Sequence, residues 1–456
     1  MPIHSEMIIG GAERPASTGR RYDVCNPADG ELVGTAPLAS HDDAACAVGA
    51  AQRALDCWAA QPVDTRAAFL DTALDAVEAR QDELARLLTS EQGKPVTEAR
   101  AEIAGFVSRM RSFARLARKT PDGRVPALPS MSERHYGDLA APEPTVTVGL
   151  VAWNFPVGLM AKKLGPMLVA GGTAVIKPAF TTPLTALRVI ALMNEAGLPP
   201  GVLNCVTGCG EDVGALLASS PGVGRVHLTG SDETGRQLAH AIRANGPALL
   251  LELAGSDPMI VCADADVSKA VRGAVTGRFR NAGQMCMAVK RLYVASEIYD
   301  TFVDELVSLV AQFEPGDGAM PSEAPRVRIG PLHTSAVRAR VEEQLDDAVR
   351  EGADVLIGGG RPASRALDNG FFLEPTIVAN VPSGSRLVNE EVFGPVLPVF
   401  RTHTMDDAIE QANRSPFRLS ASIWTSDYAA ARRAAPAVQC RQLWINRLPF
   451  GTDQVS

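Results

Sequence analysis

The stretch Val146-Thr147-Val148-Gly149-Leu150-Val151 decides the fold. It is a short, continuous apolar run of strand length. Similar runs follow at Thr173-Ala174-Val175-Ile176, Val202-Leu203-Asn204-Cys205-Val206, Arg225-Val226-His227-Leu228 and Leu249-Leu250-Leu251, with helical stretches between them. Apolar strands alternating with helices predict an α/β fold: a parallel sheet with helices on both faces. Working outward, residues 41–119 carry apolar residues at helical spacing, as in Phe69, Ala73, Leu74 and Val77. Residues 1–40 read as short strands and turns around Asn26-Pro27-Ala28-Asp29-Gly30. Pro121 to Pro144 reads as an extended excursion. A second α/β series starts near Pro258, with strands at Arg291-Leu292-Tyr293-Val294, 354–358, 396–400 and 442–446 and helices near 298–313 and 334–351. Two such series predict two domains with a cleft between them, the usual place for a ligand.

Bulk properties narrow the function. A chain of 456 residues suggests roughly two to four domains. A net charge of −8 repels nucleic acid and anionic lipid, so neither is an expected partner. No apolar run reaches the roughly 18 residues of a membrane span. Met1 to Gly11 has no apolar signal core. The eight cysteines are scattered without a C-x-x-C, and no H-E-x-x-H occurs. That argues against a zinc site or a disulfide scaffold and for reduced thiols in the cytoplasm; no metal is expected.

Six segments carry candidate chemistry. In Phe279-Arg280-Asn281-Ala282-Gly283-Gln284-Met285-Cys286, a cysteine after a glycine-containing turn can be an exposed nucleophile, although most single cysteines are buried filler. In Leu251-Glu252-Leu253-Ala254-Gly255, a carboxylate among apolar neighbours at a strand end should have a raised pKa, which suits a general base; by itself a solvated strand-end acid is commoner. In Trp153-Asn154-Phe155-Pro156 the Asn amide can donate to an oxyanion, or can merely cap a helix started by the proline. Lys177, before Pro178-Ala179-Phe180, sits at the carboxyl edge of a predicted parallel strand, where nucleotides bind; a surface lysine is the bland alternative. Leu228-Thr229-Gly230-Ser231-Asp232-Glu233-Thr234-Gly235 follows a strand and opens a helix, so its amides can face a pyrophosphate. Gly208-Cys209-Gly210 has the wrong spacing for a dinucleotide fingerprint and reads as a turn. Glu390-Glu391-Val392-Phe393-Gly394-Pro395 pairs two acids, a combination usually left in solvent.

Together these segments resemble the aldehyde dehydrogenase superfamily, in family order, from about Asn26 to Asn446. The signatures are F-x-N-x-G-Q-x-C, E-L-G-G with Ala254 for the first glycine, W-N-F-P, K-P-A-E, T-G-S-x-x-x-G and E-E-x-F-G-P. Cys286 follows Glu252 by 34 residues, the family's interval between base and nucleophile. The resemblance implies Cys286 as nucleophile, Glu252 as base of thioester hydrolysis, and Asn154 with the Cys286 N–H as oxyanion donors. It also implies a dinucleotide, NAD or NADP, held by Trp153, Lys177, Phe180, Gly230, Ser231, Glu391 and Phe393. The implied fold is a Rossmann-like cofactor domain over 1–120 and 145–253, a catalytic domain over 254–439, and a small β oligomerisation arm over 121–144 and 440–456. A homodimer or homotetramer follows from such an arm. Other readings are a CoA-acylating aldehyde dehydrogenase, whose relatives generally lack the base, and a non-catalytic binding or structural member.

Departures from the pattern bear on specificity. Phe180 stands where the family has the Glu of K-P-A-E, a carboxylate that bonds ribose hydroxyls and repels a 2′-phosphate. Phe180 does neither, which leaves the choice of cofactor open and leans it towards tolerance of NADP. F-R-N before the cysteine is similar to succinate-semialdehyde dehydrogenases, so Arg280 is a candidate for a substrate's distal carboxylate. Those relatives add an Arg eight residues past the Asn; here that position is Lys162, cationic but not bidentate. Ala288 replaces the second cysteine of redox-regulated relatives. Succinate semialdehyde is the first substrate expectation. Past Asn446 the family runs through a P-F-G-G segment to a final strand, and Pro449-Phe450-Gly451 comes too soon to match it.

Overall fold

The computed structural model describes residues 2–119, 144–242, 246–319 and 327–449. Residues 120–143 and 450–456, which hold most of the expected arm and part of Pro449-Phe450-Gly451, lie outside these. The chain divides into two units. One comprises Met1–Asn26, Gly30–Gln92 and Val96–Leu253; the other comprises Pro27–Asp29, Gly93–Pro95 and Ala254–Ser456.

The first unit opens with β1 (Ile3–His4), β2 (Met7–Ile9), β3 (Ala12–Arg14), β4 (Arg21–Cys25) and β5 (Leu32–Pro37). Helices follow at His41–Ala59, Val63–Ala79, Gln81–Gln92 and Val96–Ala117. The first of them starts where Ser40 and Asp43 form a reciprocal capping box, which satisfies two otherwise orphaned amides. Then come β6 (Val146–Leu150), β7 (Thr173–Lys177), β8 (Leu203–Cys205), β9 (Val223–Thr229) and β10 (Ala248–Glu252). All five residues of β6 are buried, as a strand covered on both faces requires. The strand order is β10-β9-β6-β7-β8-β2-β3, parallel from β10 to β8 and antiparallel at β2 and β3. From β6 the chain winds through β7 to β8, then returns to the other side of β6 as β9 and β10. The direction of winding therefore reverses between β6 and β9, and ligands of open α/β sheets bind outside the carboxyl ends of the strands at such a point.

The second unit contains β11 (Asp257–Val261), a helix at Val267–Phe279, β12 (Val289–Ala295), a helix at Tyr299–Val310, β13 (Phe313–Pro315), β14 (Val327–Ile329), a helix at Ser335–Arg350, β15 (Asp354–Ile357), β16 (Thr376–Ala379), β17 (Val396–Thr402), a helix at Met405–Asn413, β18 (Ser420–Trp424) and β19 (Gln442–Ile445). Asp266, Thr334 and Thr404 cap their helices with side-chain oxygens. The main sheet runs β15-β16-β17-β12-β11-β18-β19 and is parallel except at β15. Two early segments belong here: the Phe371 amide donates to the Pro27 carbonyl at 3.0 Å, and a Cβ on Gly93 would meet Pro331 at 2.9 Å. The α/β class is as expected. The sequence reading did not mark β16 and β18, which are short runs of four and five residues. Among the described residues no helix is long and apolar enough to cross a membrane.

Candidate active site

In the first unit four candidate segments leave the carboxyl ends of four neighbouring strands. Trp153-Asn154 follows β6, Lys177 ends β7, Gly230-Ser231 follows β9 and Glu252 ends β10. The helix beyond Asn154 begins at Gly158, not at Pro156. Its first amides are capped from elsewhere: Glu102 accepts from the N–H groups of Val157 and Gly158, each at 2.9 Å. The capping reading of Asn154 therefore falls away. Asn154 is buried.

Glu252 departs from expectation. Burial does push its carboxyl upward, but the ammonium groups of Lys162 and Lys163, His227 and the Thr229 hydroxyl outweigh it and hold the group well below the usual carboxylate range. Lys162 Nζ lies 3.4 Å from Oε1, and the Thr229 hydroxyl donates to Oε2 at 3.1 Å. Lys163 Nζ in turn donates to Thr229 Oγ1 at 2.6 Å. The expected raised pKa is thus corrected: the apolar neighbours in sequence are not the neighbours in space. Lys162, expected to face a substrate carboxylate, has the Glu252 carboxylate as its partner. His227, on β9 in the same cluster, is lowered to about 3 by burial and by Lys163.

Lys177 is buried, with Nζ donating to the Pro178 carbonyl at 3.0 Å, and burial lowers it to about 8 against the opposing pull of Cys209 and Cys205. Phe180 is 41 % exposed and stacks on Tyr22, with ring centroids 4.0 Å apart and planes at 13°. Ser231 caps the helix Asp232–Ala241 by accepting from the Thr234 amide, and the Gly230 amide donates to the Glu252 carbonyl at 3.1 Å. Gly208 bends with φ +145°, and Gly210 opens a π-helical turn, so no phosphate loop forms there. A buried ammonium and a helix N-terminus, beyond the carboxyl ends of the two strands that flank β6, fit the diphosphate and ribose of a dinucleotide.

In the second unit the candidates gather at the amino ends of parallel strands: Gly255 before β11, Cys286 before β12, Glu391 and Phe393 before β17. The backbone ahead of Cys286 is left-handed at three successive residues: Asn281 at φ +51°, Ala282 at +53° and Gly283 at +75°. Gln284 fastens that turn, since its Nε2 donates to the Asn281 carbonyl at 2.9 Å and its Oε1 accepts from the His333 amide at 2.8 Å. Residues 281–285 are buried and Cys286 is half-buried, whereas Cys205 is fully enclosed. The segment thus presents one sulfur at the end of a rigid loop. Arg280 begins the turn and is half-buried.

Both acids of the pair at 390–391 have protein partners while staying partly exposed. Glu390 bonds Arg386 at 2.9 Å and Gln344 at 3.0 Å. Glu391 Oε1 accepts from Lys290 Nζ at 2.7 Å and from the Gly255 amide at 3.1 Å. Arg278, wholly buried, donates to the carbonyls of Val392 and Gly394. Lys163, Thr229, Tyr22, Arg278 and Lys290 had no role in the sequence reading. Thr229 and Arg278 adjoin or lie within quoted motifs, which is the only signal that could have drawn attention to them.

Comparison with known proteins shows the family. The profile described as aldehyde dehydrogenase family matches residues 14–455. The chain is 38 % identical over 465 residues to the succinate-semialdehyde dehydrogenase (NADP+) of Escherichia coli strain K12, spanning 100 % of this chain and 93 % of that one. It is 37 % identical to the glutarate-semialdehyde dehydrogenase of Pseudomonas putida, with the same coverage. Among solved structures, an Escherichia coli NADP-dependent enzyme superposes with a TM-score of 0.89 at 36 % identity, covering 99 % of this chain and 91 % of the other. The chain belongs to the aldehyde dehydrogenase family and is an NAD(P)-dependent aldehyde dehydrogenase.

Proposed function

We propose that the enzyme oxidises an aldehyde bearing a distal carboxylate, succinate semialdehyde first, to the dicarboxylic acid through a thioester on Cys286. The first unit takes the dinucleotide, with Lys177, Phe180, Gly230 and Ser231 towards its adenosine and diphosphate and Trp153 beside them. Glu391 and Phe393 of the second unit serve the nicotinamide ribose and ring. The dinucleotide, when bound, accepts the hydride. The Cys286 thiolate attacks the aldehyde carbon, and the Asn154 amide with the Cys286 N–H holds the oxyanion. Glu252 then takes a proton from the water that hydrolyses the thioester.

The observation that supports hydrolysis, in preference to transfer to CoA, is the presence of a carboxylate, Glu252, at the end of β10 with Lys162 and Thr229 as its partners; it takes a proton only when those partners release it, since they hold its basicity down. The half-buried Cys286 on its left-handed turn speaks against a non-catalytic member. Arg280 supports the carboxylate-bearing substrate, as do relatives named for succinate and glutarate semialdehydes. We place the enzyme in the cytoplasm, in keeping with eight cysteines scattered without a C-x-x-C, as a homodimer or homotetramer.

The test is a panel of semialdehydes with each dinucleotide, followed at 340 nm, with and without CoA. Cys286→Ala should abolish reduction of the dinucleotide. Glu252→Gln should give one burst and then stall with acyl-enzyme detectable by mass spectrometry. Dinucleotide reduction by Cys286→Ala, or a product formed only with CoA, would overturn the reading.

A further inference from the structure

Lys290 is the second residue of β12, a central strand of the second unit's main sheet. Its side chain is fully buried. A lysine in that position is costly: an ammonium leaves water only if its donors are met, and an apolar side chain of similar volume often serves stability as well or better. Here every donor is met. The ammonium donates to the Gly255 carbonyl at 2.6 Å, to the Cys286 carbonyl at 2.9 Å and to Glu391 Oε1 at 2.7 Å. It also lies 5.6 Å from the centroid of the Phe393 ring.

These partners are not a random sample of the interior. They are the main chain of the nucleophile, the loop that leaves the base-bearing strand, and the side chains assigned to the nicotinamide ribose and ring. The Gly255 amide closes the circuit by donating to the same Glu391 oxygen at 3.1 Å. The fit is close: a Cβ on Gly255 would stand 2.5 Å from the Cys286 carbonyl oxygen. One ammonium therefore fixes the Cys286 carbonyl and pins Oε1 of Glu391, so that Oε2 is the oxygen left to turn towards a ribose.

We propose that Lys290 is a positioning residue that couples the nucleophile to the carboxylate serving the nicotinamide ribose. When a dinucleotide engages Glu391, the shared ammonium transmits that engagement to the Cys286 main chain and hence to the aim of its sulfur. This rests on the assignment of Cys286 and Glu391 made above.

The test uses the full chain and reads binding and thiol reactivity without turnover. Dinucleotide affinity is followed by tryptophan fluorescence. Alkylation of Cys286 by iodoacetamide is followed by mass spectrometry, with and without NAD or NADP. In the wild type a bound dinucleotide should change the alkylation rate. In Lys290→Met the dissociation constant should rise by about tenfold or more, as loss of a charge-assisted bond implies, and the rate should no longer respond to saturating dinucleotide. A merely structural lysine would lower the melting temperature and leave that response intact. Wild-type affinity with an intact response in Lys290→Met would overturn the proposal. If that variant does not fold, Glu391→Gln decides: it must abolish the response, and a preserved response overturns the coupling. The two levels of inference fail separately. Activity in Cys286→Ala removes the nucleophile assignment, whereas an inactive Cys286→Ala beside a fully responsive Lys290→Met removes the coupling alone.

Discussion

Lys162 Nζ stands 3.4 Å from Glu252 Oε1, and with Lys163, His227 and the Thr229 hydroxyl it favours the charged form of the proposed base. The folded carboxyl lies below its ordinary value of 4.5, so the base is ionised throughout the neutral and mildly acid range. The stabilisation linked to that shift is present above the unfolded value and is lost only as pH falls through the folded one. In Lys162→Met, burial acts without its nearest counter-charge, and the pKa rises. Thioester hydrolysis should be flat between pH 5 and 8 in the wild type. In Lys162→Met the acid limb should move up towards that range, with Lys163, His227 and the Thr229 hydroxyl still holding the carboxyl down. Single-turnover hydrolysis across that range checks it, and coincident profiles would remove Lys162 from the account.

Gly283 is the residue on which the nucleophile's turn depends. It sits at φ +75°, and a Cβ there would collide with the Gly394 carbonyl. Gly283→Ala should cost on the order of 1–3 kcal/mol and slow alkylation of Cys286. Calorimetry and thiol labelling measure the two effects, and a variant with wild-type melting and labelling would contradict the described loop.

Phe180, stacked on Tyr22, stands where the family resemblance implies a carboxylate that would select against a 2′-phosphate. Phe180→Glu should move the ratio of kcat/KM values towards NAD by roughly tenfold or more. Steady-state kinetics with both dinucleotides reads this directly. An unchanged ratio would mean that position 180 has no part in the choice.

Arg280 opens the turn that ends in Cys286 and is the proposed contact for a substrate's distal carboxylate. Arg280→Leu should lower kcat/KM for succinate semialdehyde by about ten- to a hundredfold, the worth of a charge-assisted pair. An uncharged aldehyde of similar length should lose little. Equal losses on both substrates would point to a damaged loop and not to a lost anion contact.

What could be read beforehand followed from local chemistry. The strands around Val146–Leu150 were legible because a doubly covered strand has no polar face to hide the pattern. The turn at Gly283 was legible because a left-handed backbone leaves a glycine at a fixed place ahead of Cys286. Glu252 was found, but its ionisation was read wrongly. Its counter-ion lies 90 residues away in sequence, on the helix Gly158–Val169. The Tyr22–Phe180 stack and the capping of Gly158 by Glu102 were hidden for the same reason. Lys290 was passed over because it lies at the edge of an apolar strand run, where a lysine ordinarily signals the strand's end rather than a buried hub.

The return of Pro27–Asp29 and Gly93–Pro95 to the second unit has a bearing on how the protein is made. Pro27 leaves the ribosome 344 residues before Phe371, whose amide it must accept. No single cut at Leu253 yields two free-standing pieces, because the early half would carry away segments that complete the later one. Such long-range closure is slow. Pro27–Asp29 and Gly93–Pro95 must therefore wait for their partners until almost the whole polypeptide has emerged.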